Sequence, residues 1–508
     1  MSPEQQVDLE MQFLRSGFLR WHLPKRFIVT ILGFFGMFNV YAMRMNMSVA
    51  IVAMVNISSS LPENNTLLYA ECPDEDRREE EITESESKAA RYNWDSVTQN
   101  QIISAFFYGY FITVFIGGYL AERFGAHKIF GACIFMTSVL SLLTPVTVQW
   151  GLVPLITLRA LEGLCESVTF SSMASVVSRW APKMERSRMN SIIFSGSMIG
   201  NVVTFSVSGW LCSIDFLGGW PSVFYVFGVI GCAWCLFWCI FVYESPFKHP
   251  FITSDEFKLY KDNITISKKQ LRVPWLSIFS SIPFWAMVLA FVGAFFTDTI
   301  TYTELTSYLS SALHVDVKNA GLYSSLPSIA ICIGSWVSSC IADGLRKRGV
   351  LGITNIRKIF NSLAGYVLAL CLIGIPFCGC RAWLVVVIYS FGMFVNGFKF
   401  SGFQLSSVDM SPTYAGIIYG IANGCGAVSG IVAPIMVGAL TESGATIANW
   451  SKVFYVTAAI SAVTTTFFAL FSSAEVQPWG NPDCELESKG TEIVEQRQNS
   501  NSYINPIN

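Results

Sequence analysis

Seven ionisable residues lie inside long apolar runs of this sequence, and their types suit the handling of a small charged molecule. An unpaired charge at the centre of a bilayer costs at least about 2.5–3.5 kcal/mol, so such residues persist where they face one another or a wet cavity. Basic side chains there bind anions, and carboxyls exchange protons. The pattern predicts one central polar site. Its candidate members are Arg44, Arg159, Glu162, Glu166, Asp298, Glu304 and Lys399.

Arg44 is the leading candidate for contact with an anionic substrate, because it lies near the middle of the first apolar run. A guanidinium stays charged when buried and offers a planar fork that matches a carboxylate or a phosphate. The alternative is a structural arginine whose side chain reaches the membrane surface.

Glu162 and Glu166 are spaced i, i+4 and therefore share one face of a predicted helix, with Arg159 one turn away. Buried carboxyls beside arginines can exchange a proton in a physiological range, so both glutamates are candidates for ion coupling. The alternative is a purely structural role, for example a pair between Arg159 and Glu162.

A second charged group lies in the C-terminal half. A buried lysine and a buried acid are each costly unless they compensate one another, so we expect Lys399, a candidate substrate contact, to pair with Asp298, a candidate for ion coupling. At 1.5 Å per residue the two lie roughly 10 Å apart in depth. The alternatives are that Lys399 reaches the cytosolic surface or binds the anion, and that Glu304 reaches the extracytosolic surface.

Tyr108 and Tyr110 of the second apolar run could supply hydroxyl groups to the same site. Phe106 and Phe107 are better explained by helix packing.

The elements that hold these residues are apolar helices. Of 508 residues 52% are hydrophobic and 13% are charged, and the mean hydropathy is +0.48, which indicates a membrane protein. Apolar runs of about 18–28 residues, set against a hydrocarbon thickness of ~30 Å, predict an all-α membrane protein with twelve transmembrane helices. The predicted helices are 27–55, 101–120, 129–148, 152–177, 191–211, 223–243, 284–309, 325–342, 359–377, 383–403, 416–437 and 453–471.

The polar stretches divide the chain into two six-helix bundles, 27–243 and 283–472, joined by a central loop, 244–282. Lysine and arginine collect in the N-terminal segment 1–26, in the central loop and in the predicted 4–5 and 8–9 loops, so these segments, the tail 473–508 and both termini are expected in the cytosol. The acidic loop 56–100 is then extracytosolic, and its sequon predicts glycosylation at Asn64.

This layout resembles the major facilitator superfamily, and two short motifs agree. The string GGYLAERFGAHK, with Glu122 and Arg123, resembles the G-x-L-A-D-R-x-G loop of that superfamily, and IADGLRKRG places Asp343 and Arg346 in equivalent positions of the second half. The resemblance implies two halves that rock about a site at their interface, with these residues as a gate on the cytosolic side. The alternative is a solvated turn.

Longer strings are similar to the anion:cation symporters, which include sialin, the type I sodium-phosphate cotransporters and the vesicular glutamate transporters, and the pattern is closest to sialin-like members. The strings are YNWDSVTQNQIISAFFYGY, RALEGLCESVTF, RWAPKMERSR, SGFQLSSVDMSPTYAGIIYGIANG and SSAEVQPW. The resemblance implies that Arg44 binds the anionic group of the substrate and that glutamates of the fourth helix take part in proton coupling. Ala174 and Ala294 stand where the glutamate carriers have a histidine and an arginine, which disfavours glutamate.

The predicted function is secondary active symport of an organic anion with a proton or a sodium ion, by alternating access and without a cofactor. The alternatives are a sodium-dependent inorganic phosphate cotransporter, a channel-like anion conductance and a non-transporting sensor or scaffold. The net charge of -2 indicates no nucleic-acid partner, and no catalytic or metal-binding constellation points to an enzyme. We expect a monomer in a lipid bilayer, with the plasma membrane preferred over a lysosomal or vesicular membrane.

Overall fold

The computed structural model describes residues 24–55, 92–182, 185–250, 252–253, 256, 260, 273–349, 351–411 and 414–480, without the side chains of 118, 119, 122 and 186–188. Most of these ranges are helical, as the sequence predicts. The long helices, here α1 to α12, are Lys25–Met54, Ser96–Val114, Ala126–Trp150, Leu152–Trp180, Arg186–Ser213, Pro221–Phe241, Ile282–Thr299, Val317–Lys347, Ile353–Gly374, Ala382–Asn396, Ala415–Thr441 and Ile447–Phe471.

Ten helical segments of the described chain are long and apolar enough to cross a membrane. The two long helices outside that set are α2, which begins with a run of polar residues, and α4, which carries Arg159, Glu162 and Glu166. These two pack against each other inside the bundle. The chain is a multi-pass membrane protein, while the count of twelve spans and the cytosolic location of the termini stay predictions.

Short connections reverse the chain between successive helices, as at Gly151, whose φ of 116° is a conformation that glycine adopts readily. The helix ends therefore fall on two faces. We call the face where α1 begins the Pro24 face and the face where α1 ends the Val55 face. The Tyr92 amide donates to the Met54 carbonyl oxygen at 2.7 Å, so the predicted extracytosolic loop leaves and rejoins the bundle on the Val55 face. Asn64 in that loop lies outside the described residues.

Each half of the chain builds apolar cores of its own. In the N-terminal half the Trp234 and Trp238 rings stack at 5.1 Å, and Phe130 contacts both. In the C-terminal half Tyr308 contacts Trp450 and Phe454, with ring centroids 5.3 and 5.0 Å away. Two separate sets of core contacts are what a pair of relatively rigid halves requires.

The halves meet along α2 and α11, along α5 and α8, and where α1 contacts the end of α7. Near the Val55 face a Cβ added to Gly209 of α5 would lie 3.2 Å from the Gly321 Cα of α8. On the same face the Ser96 and Thr441 hydroxyls form a hydrogen bond of 2.5 Å between α2 and α11. The two halves are therefore held together at the Val55 face.

The helices that carry the C-terminal charges are irregular. After Thr299 the chain forms a π-helical segment, Ile300–Glu304, before regular helix resumes at Leu305–Ser311. Helix α10 changes to a 3₁₀-helix at Gly397–Phe400. The predicted helices 284–309 and 383–403 lie within the helical segments Ile282–Ser311 and Ala382–Met410, but the length of an apolar run did not reveal these changes in hydrogen-bond register. Such irregular turns often occur at functional sites.

Part of the chain that connects the two halves docks on the Pro24 face. Glu256 accepts hydrogen bonds from the Lys25 and Arg26 amides, both at 2.9 Å, and so caps the start of α1. Burial lowers the pKa of His249 to about 4, and the charge of Lys25 contributes in the same direction. The predicted limits of the bundles and of the central loop stay predictions.

Candidate functional site

The Arg44 guanidinium lies in a cage of four aromatic rings. Its Cζ atom is 5.0 Å from the ring centroids of Phe106 and Phe107, 5.2 Å from that of Tyr110 and 5.7 Å from that of Tyr41. The residue is 9% exposed, and its Nε has no hydrogen-bond partner among the described residues. Cation–π attraction stabilises a cation by roughly 0.5–2 kcal/mol per ring. The cage therefore holds the charge without neutralising it.

The spacing of residues on α2 produces three walls of this cage. Phe106 and Tyr110 are four residues apart and Phe107 and Tyr110 are three apart, so all three share one face of the helix. Tyr108 points away from that face and is 37% exposed. The structure thus brings Tyr110 to the site and not Tyr108. It adds two phenylalanines that the sequence analysis assigned to packing, although their i, i+3 and i, i+4 relation to Tyr110 was a usable signal.

Arg159 and Glu162 of α4 form a buried ion pair. Arg159 Nη1 lies 2.6 Å from Glu162 Oε2, and the two side chains are 3% and 2% exposed. The Arg159 Cζ is also 5.4 Å from the Phe106 ring centroid, so this ring contacts both arginines. The pairing neutralises Arg159 and shows that Glu162 has a structural partner.

Glu166 lies one turn further along α4 and is 1% exposed. Neither of its carboxyl oxygens has a hydrogen-bond partner among the described residues. The charges of Arg44, Glu162 and Arg159 all act on this carboxyl, with Arg44 the strongest of the three. Glu166 is thus a buried acid beside the caged arginine, with both oxygens free to take part in further contacts.

The C-terminal half contributes the ion pair that the sequence predicts. Lys399 Nζ lies 2.5 and 2.7 Å from the two carboxyl oxygens of Asp298, and Asn396 Nδ2 is 3.4 Å from Oδ1. The predicted difference in depth of roughly 10 Å is spanned by the long lysine side chain and by the 3₁₀ turn that carries Lys399. Tyr41, one wall of the aromatic cage, is within electrostatic range of Asp298. The functional roles of Lys399 and Asp298 stay predictions.

Glu304 does not reach a surface, because it is 1% exposed at the end of the π-helical segment that follows α7. The predicted gate residues lie away from the central charged groups, at one end of the bundle. Arg123, Asp343 and Arg346 are exposed near the Pro24 face, the last two in the final turns of α8. The side chain of Glu122 lies outside the described residues, so gating stays a prediction.

Comparison with protein families and with known proteins agrees with this architecture. Residues 33–434 match the model of the Major Facilitator Superfamily. The chain is 38% identical to human sialin over 463 residues, which cover 90% of this chain and 91% of sialin. It is 35% identical over 466 residues to a Drosophila melanogaster protein named "Putative inorganic phosphate cotransporter", covering 90% and 87% of the two chains. It is 34% identical to human vesicular glutamate transporter 2 over 475 residues, covering 92% and 77%.

Solved structures support the fold. A bacterial homolog of the human lysosomal transporter Spinster, in an inward-facing conformation, superposes with a TM-score of 0.67 at 12% identity, covering 90% of this chain and 99% of that one. A D-xylose–proton symporter gives a TM-score of 0.65 at 11% identity, covering 89% and 99%. The family consists of membrane transporters and not of enzymes. With a family match over most of its length and relatives above 30% identity, this chain belongs to the Major Facilitator Superfamily.

Proposed function

We propose that this chain is a secondary active transporter that moves an organic anion together with a proton. The anion binds at Arg44, Glu166 carries the coupling proton, and the two halves rock about this site to expose it to each face of the membrane in turn. The names of the similar proteins, which refer to inorganic phosphate and to glutamate among others, support an anionic substrate.

The observation that carries the proposal is the contrast among the three central cations. Arg159 is neutralised by Glu162 and Lys399 by Asp298, at 2.6 and 2.5 Å. Arg44 is only 9% exposed inside its aromatic cage, yet no described acid forms an ion pair with it. A buried guanidinium favours a charge-assisted, two-point contact with an anion, and an anionic substrate supplies that contact.

The walls of the cage favour an organic anion over inorganic phosphate. Phe106 and Phe107 present apolar rings at 5.0 Å from the guanidinium, so a ligand at Arg44 meets carbon surfaces on several sides. Burial of apolar ligand surface against such rings is favourable, whereas stripping water from a small multiply charged anion is costly. An organic carboxylate suits both features, since its charged group can contact the Arg44 guanidinium and its carbon skeleton can contact the aromatic rings.

Glu166 fits the role of proton carrier because its charge and that of the substrate compete for the same cation. An ionised Glu166 offsets Arg44, so binding of an anion favours protonation of the carboxyl, and release of the anion favours loss of the proton. This linkage couples proton movement to substrate movement without a direct contact between them. Sodium coupling is the competing assignment.

We further propose a monomer with the Pro24 face in the cytosol and with the plasma membrane as its location. Both halves of one chain contribute charged residues near the interface, Arg44 and Glu166 from one half and the pair of Asp298 and Lys399 from the other, so a single copy supplies all of them. The alternative is a lysosomal or a vesicular membrane, the latter suggested by the name of vesicular glutamate transporter 2.

A competition experiment tests the substrate assignment. Purified protein in proteoliposomes is assayed for uptake of labelled sialic acid, glutamate, other mono- and dicarboxylates and inorganic phosphate, with each unlabelled compound as competitor. We expect saturable uptake of one or more carboxylates with weak competition by phosphate. Uptake of phosphate alone would favour the phosphate cotransporter, and the absence of all uptake from protein shown to be folded would favour a sensor or scaffold.

A further inference from the structure

Glu304 is a buried carboxyl for which the proposed transport cycle has no role. It is 1% exposed, and it lies at the end of the π-helical segment Ile300–Glu304. No ion pair between described residues includes it, in contrast to Glu162 and Asp298. An ionised carboxylate without a counter-ion is strongly disfavoured in such a place, which favours the neutral form.

The hydrogen bonds around Glu304 give an independent indication of its protonation. The Thr303 hydroxyl oxygen lies 2.7 Å from the Thr299 carbonyl oxygen and 3.0 Å from Glu304 Oε1. A hydroxyl has one hydrogen and a carbonyl oxygen can only accept, so an ionised Glu304 has to share the hydrogen of Thr303 with the closer Thr299 carbonyl oxygen. A protonated Glu304 can instead donate a full hydrogen bond to Thr303 Oγ1, which leaves the hydrogen of Thr303 to Thr299 and satisfies both contacts.

We propose that Glu304 is a second proton-binding site, which must be occupied before the Val55 face can close. This proposal rests on the proposed function in one respect, because it assumes that closing of the Val55 face is a step of transport. The ligand is a proton, bound as Glu304 O–H donating to Thr303 Oγ1.

The position of the segment connects this proton to closure. The π-helical segment packs against α1 of the other half, where Tyr302 contacts a cluster containing Met45, Val49 and Phe205. Separation of the halves at the Val55 face would remove α1 from this surface and admit water to the segment. Once that water reaches Glu304, its carboxyl can ionise, but it must regain a proton when the segment is buried against α1 again. Closure therefore takes up one proton.

Other ionisable groups near the segment do not substitute for this one. From α10, Tyr389 is within electrostatic range of Glu304, and its hydroxyl is 3.1 Å from that of Thr301. The Asp298 charge on the same helix is paired with Lys399. Among the described residues, the ionisable groups on the elements packed against the segment are Lys25, Arg26, Tyr41 and Arg44 of α1, Asp298 of α7, Tyr308 of the following helix, and Tyr419 and Cys425 of α11. None of these is an unpaired acid.

The test measures closure directly, without substrate. The full chain is labelled through noncanonical residues at positions 215 and 442, exposed sites on the Val55 face in different halves, and the distance between the labels is followed against pH in lipid nanodiscs. In the wild type the closed-to-open ratio should fall by up to about tenfold per unit rise in pH, because closure binds one proton. In Glu304→Gln, whose neutral amide can still donate to Thr303, the ratio should be independent of pH.

Two further variants give the experiment its controls. Glu475→Gln changes an exposed glutamate and should keep the wild-type dependence on pH. Glu166→Gln separates this proposal from the transport function. If Glu166→Gln removes the pH dependence and Glu304→Gln keeps it, the proton that controls closure belongs to Glu166 and the inference about Glu304 is overturned, while the proposed function stands.

Infrared spectroscopy supplies a measurement that does not depend on the folding of Glu304→Gln. Thr303→Val keeps the shape of the side chain and removes the hydroxyl. A band of a protonated carboxyl in the wild type should shift in Thr303→Val, because its hydrogen-bond acceptor is lost. An identical band in the two proteins would show that no protonated carboxyl donates to Thr303, and would overturn the proposal.

Discussion

Lys399, in the 3₁₀ turn that follows α10, forms an unsymmetrical ion pair with Asp298 of α7. The ammonium lies 2.5 and 2.7 Å from the two carboxyl oxygens, yet the lysine side chain is 3% exposed and that of the aspartate is 27% exposed. The lysine has therefore given up more of its hydration than the aspartate. The charged form of Lys399 therefore relies on Asp298 for stabilisation more than the charged form of Asp298 relies on Lys399.

We expect both single neutralisations to destabilise the protein and the double change to recover part of the loss. Asp298→Asn leaves a deeply buried cation and should cost about 3–5 kcal/mol, more than Lys399→Met, which leaves an acid in partial contact with solvent. A double-mutant cycle on thermal unfolding in detergent should give a coupling energy above about 1 kcal/mol. Strictly additive losses would mean that the pair contributes nothing to the fold.

Arg44→Lys should impair transport while the protein still folds and inserts. Lysine keeps the charge but loses the planar fork and the stacking surface that Phe106 and Phe107 contact. Transport efficiency should fall by about 10- to 100-fold, or ~1.4–2.7 kcal/mol. Arg348→Lys, at an exposed position near the Pro24 face, is the matched control. Wild-type efficiency in the Arg44 variant would exclude a two-point contact with the substrate.

The two glutamates of α4 should respond differently to neutralisation. Glu166→Gln should abolish accumulation driven by a pH gradient and retain exchange of substrate across the membrane, since the amide is neutral like the protonated acid. Glu162→Gln should instead lower stability by about 3–5 kcal/mol, because Arg159 loses its partner at 2.6 Å. Uptake and thermal stability measured on both variants distinguish them. Intact gradient-driven uptake in Glu166→Gln would assign the coupling proton to another residue.

Stability should depend on pH through His249 on the Pro24 face. Burial and the Lys25 charge lower the pKa of His249 from 6.5 to about 4, while a hydrogen bond to Phe241 opposes the change. A base with a lowered pKa binds its proton more readily in the unfolded chain, so its contribution is complete above about pH 6.5 and is lost as the pH falls toward 4. Thermal unfolding between about pH 7 and pH 5 should therefore change less in His249→Gln. Equal changes in the two proteins would show that His249 is readily protonated in the folded state.

The sequence predicted one ion pair and one shared helix face, because it shows both where a buried charge lies and that burying it is costly. Each buried charge interrupts an apolar run, and the rule that buried charges need partners led to the pair of Lys399 with Asp298, which the structure contains. The i, i+4 spacing on α4 likewise placed Glu162 and Glu166 on one side of a helix.

Other features depend on tertiary contacts that a single sequence does not contain. The π-helical turn before Glu304 and the 3₁₀ turn at Lys399 are set by packing between helices and leave the apolar runs unchanged. The capping of α1 by Glu256 joins residues 231 positions apart. Tyr41 was overlooked although it lies three residues before Arg44, a spacing that places both on one face.

The most direct test of the account is accumulation of a labelled carboxylate in proteoliposomes under an imposed proton gradient. The account predicts uptake above the equilibrium level, with no requirement for sodium, loss of accumulation when a protonophore collapses the gradient, and strongly reduced accumulation in Arg44→Lys. Uptake that only equilibrates across the membrane would indicate a channel-like conductance, and accumulation driven by sodium alone would contradict proton coupling through Glu166.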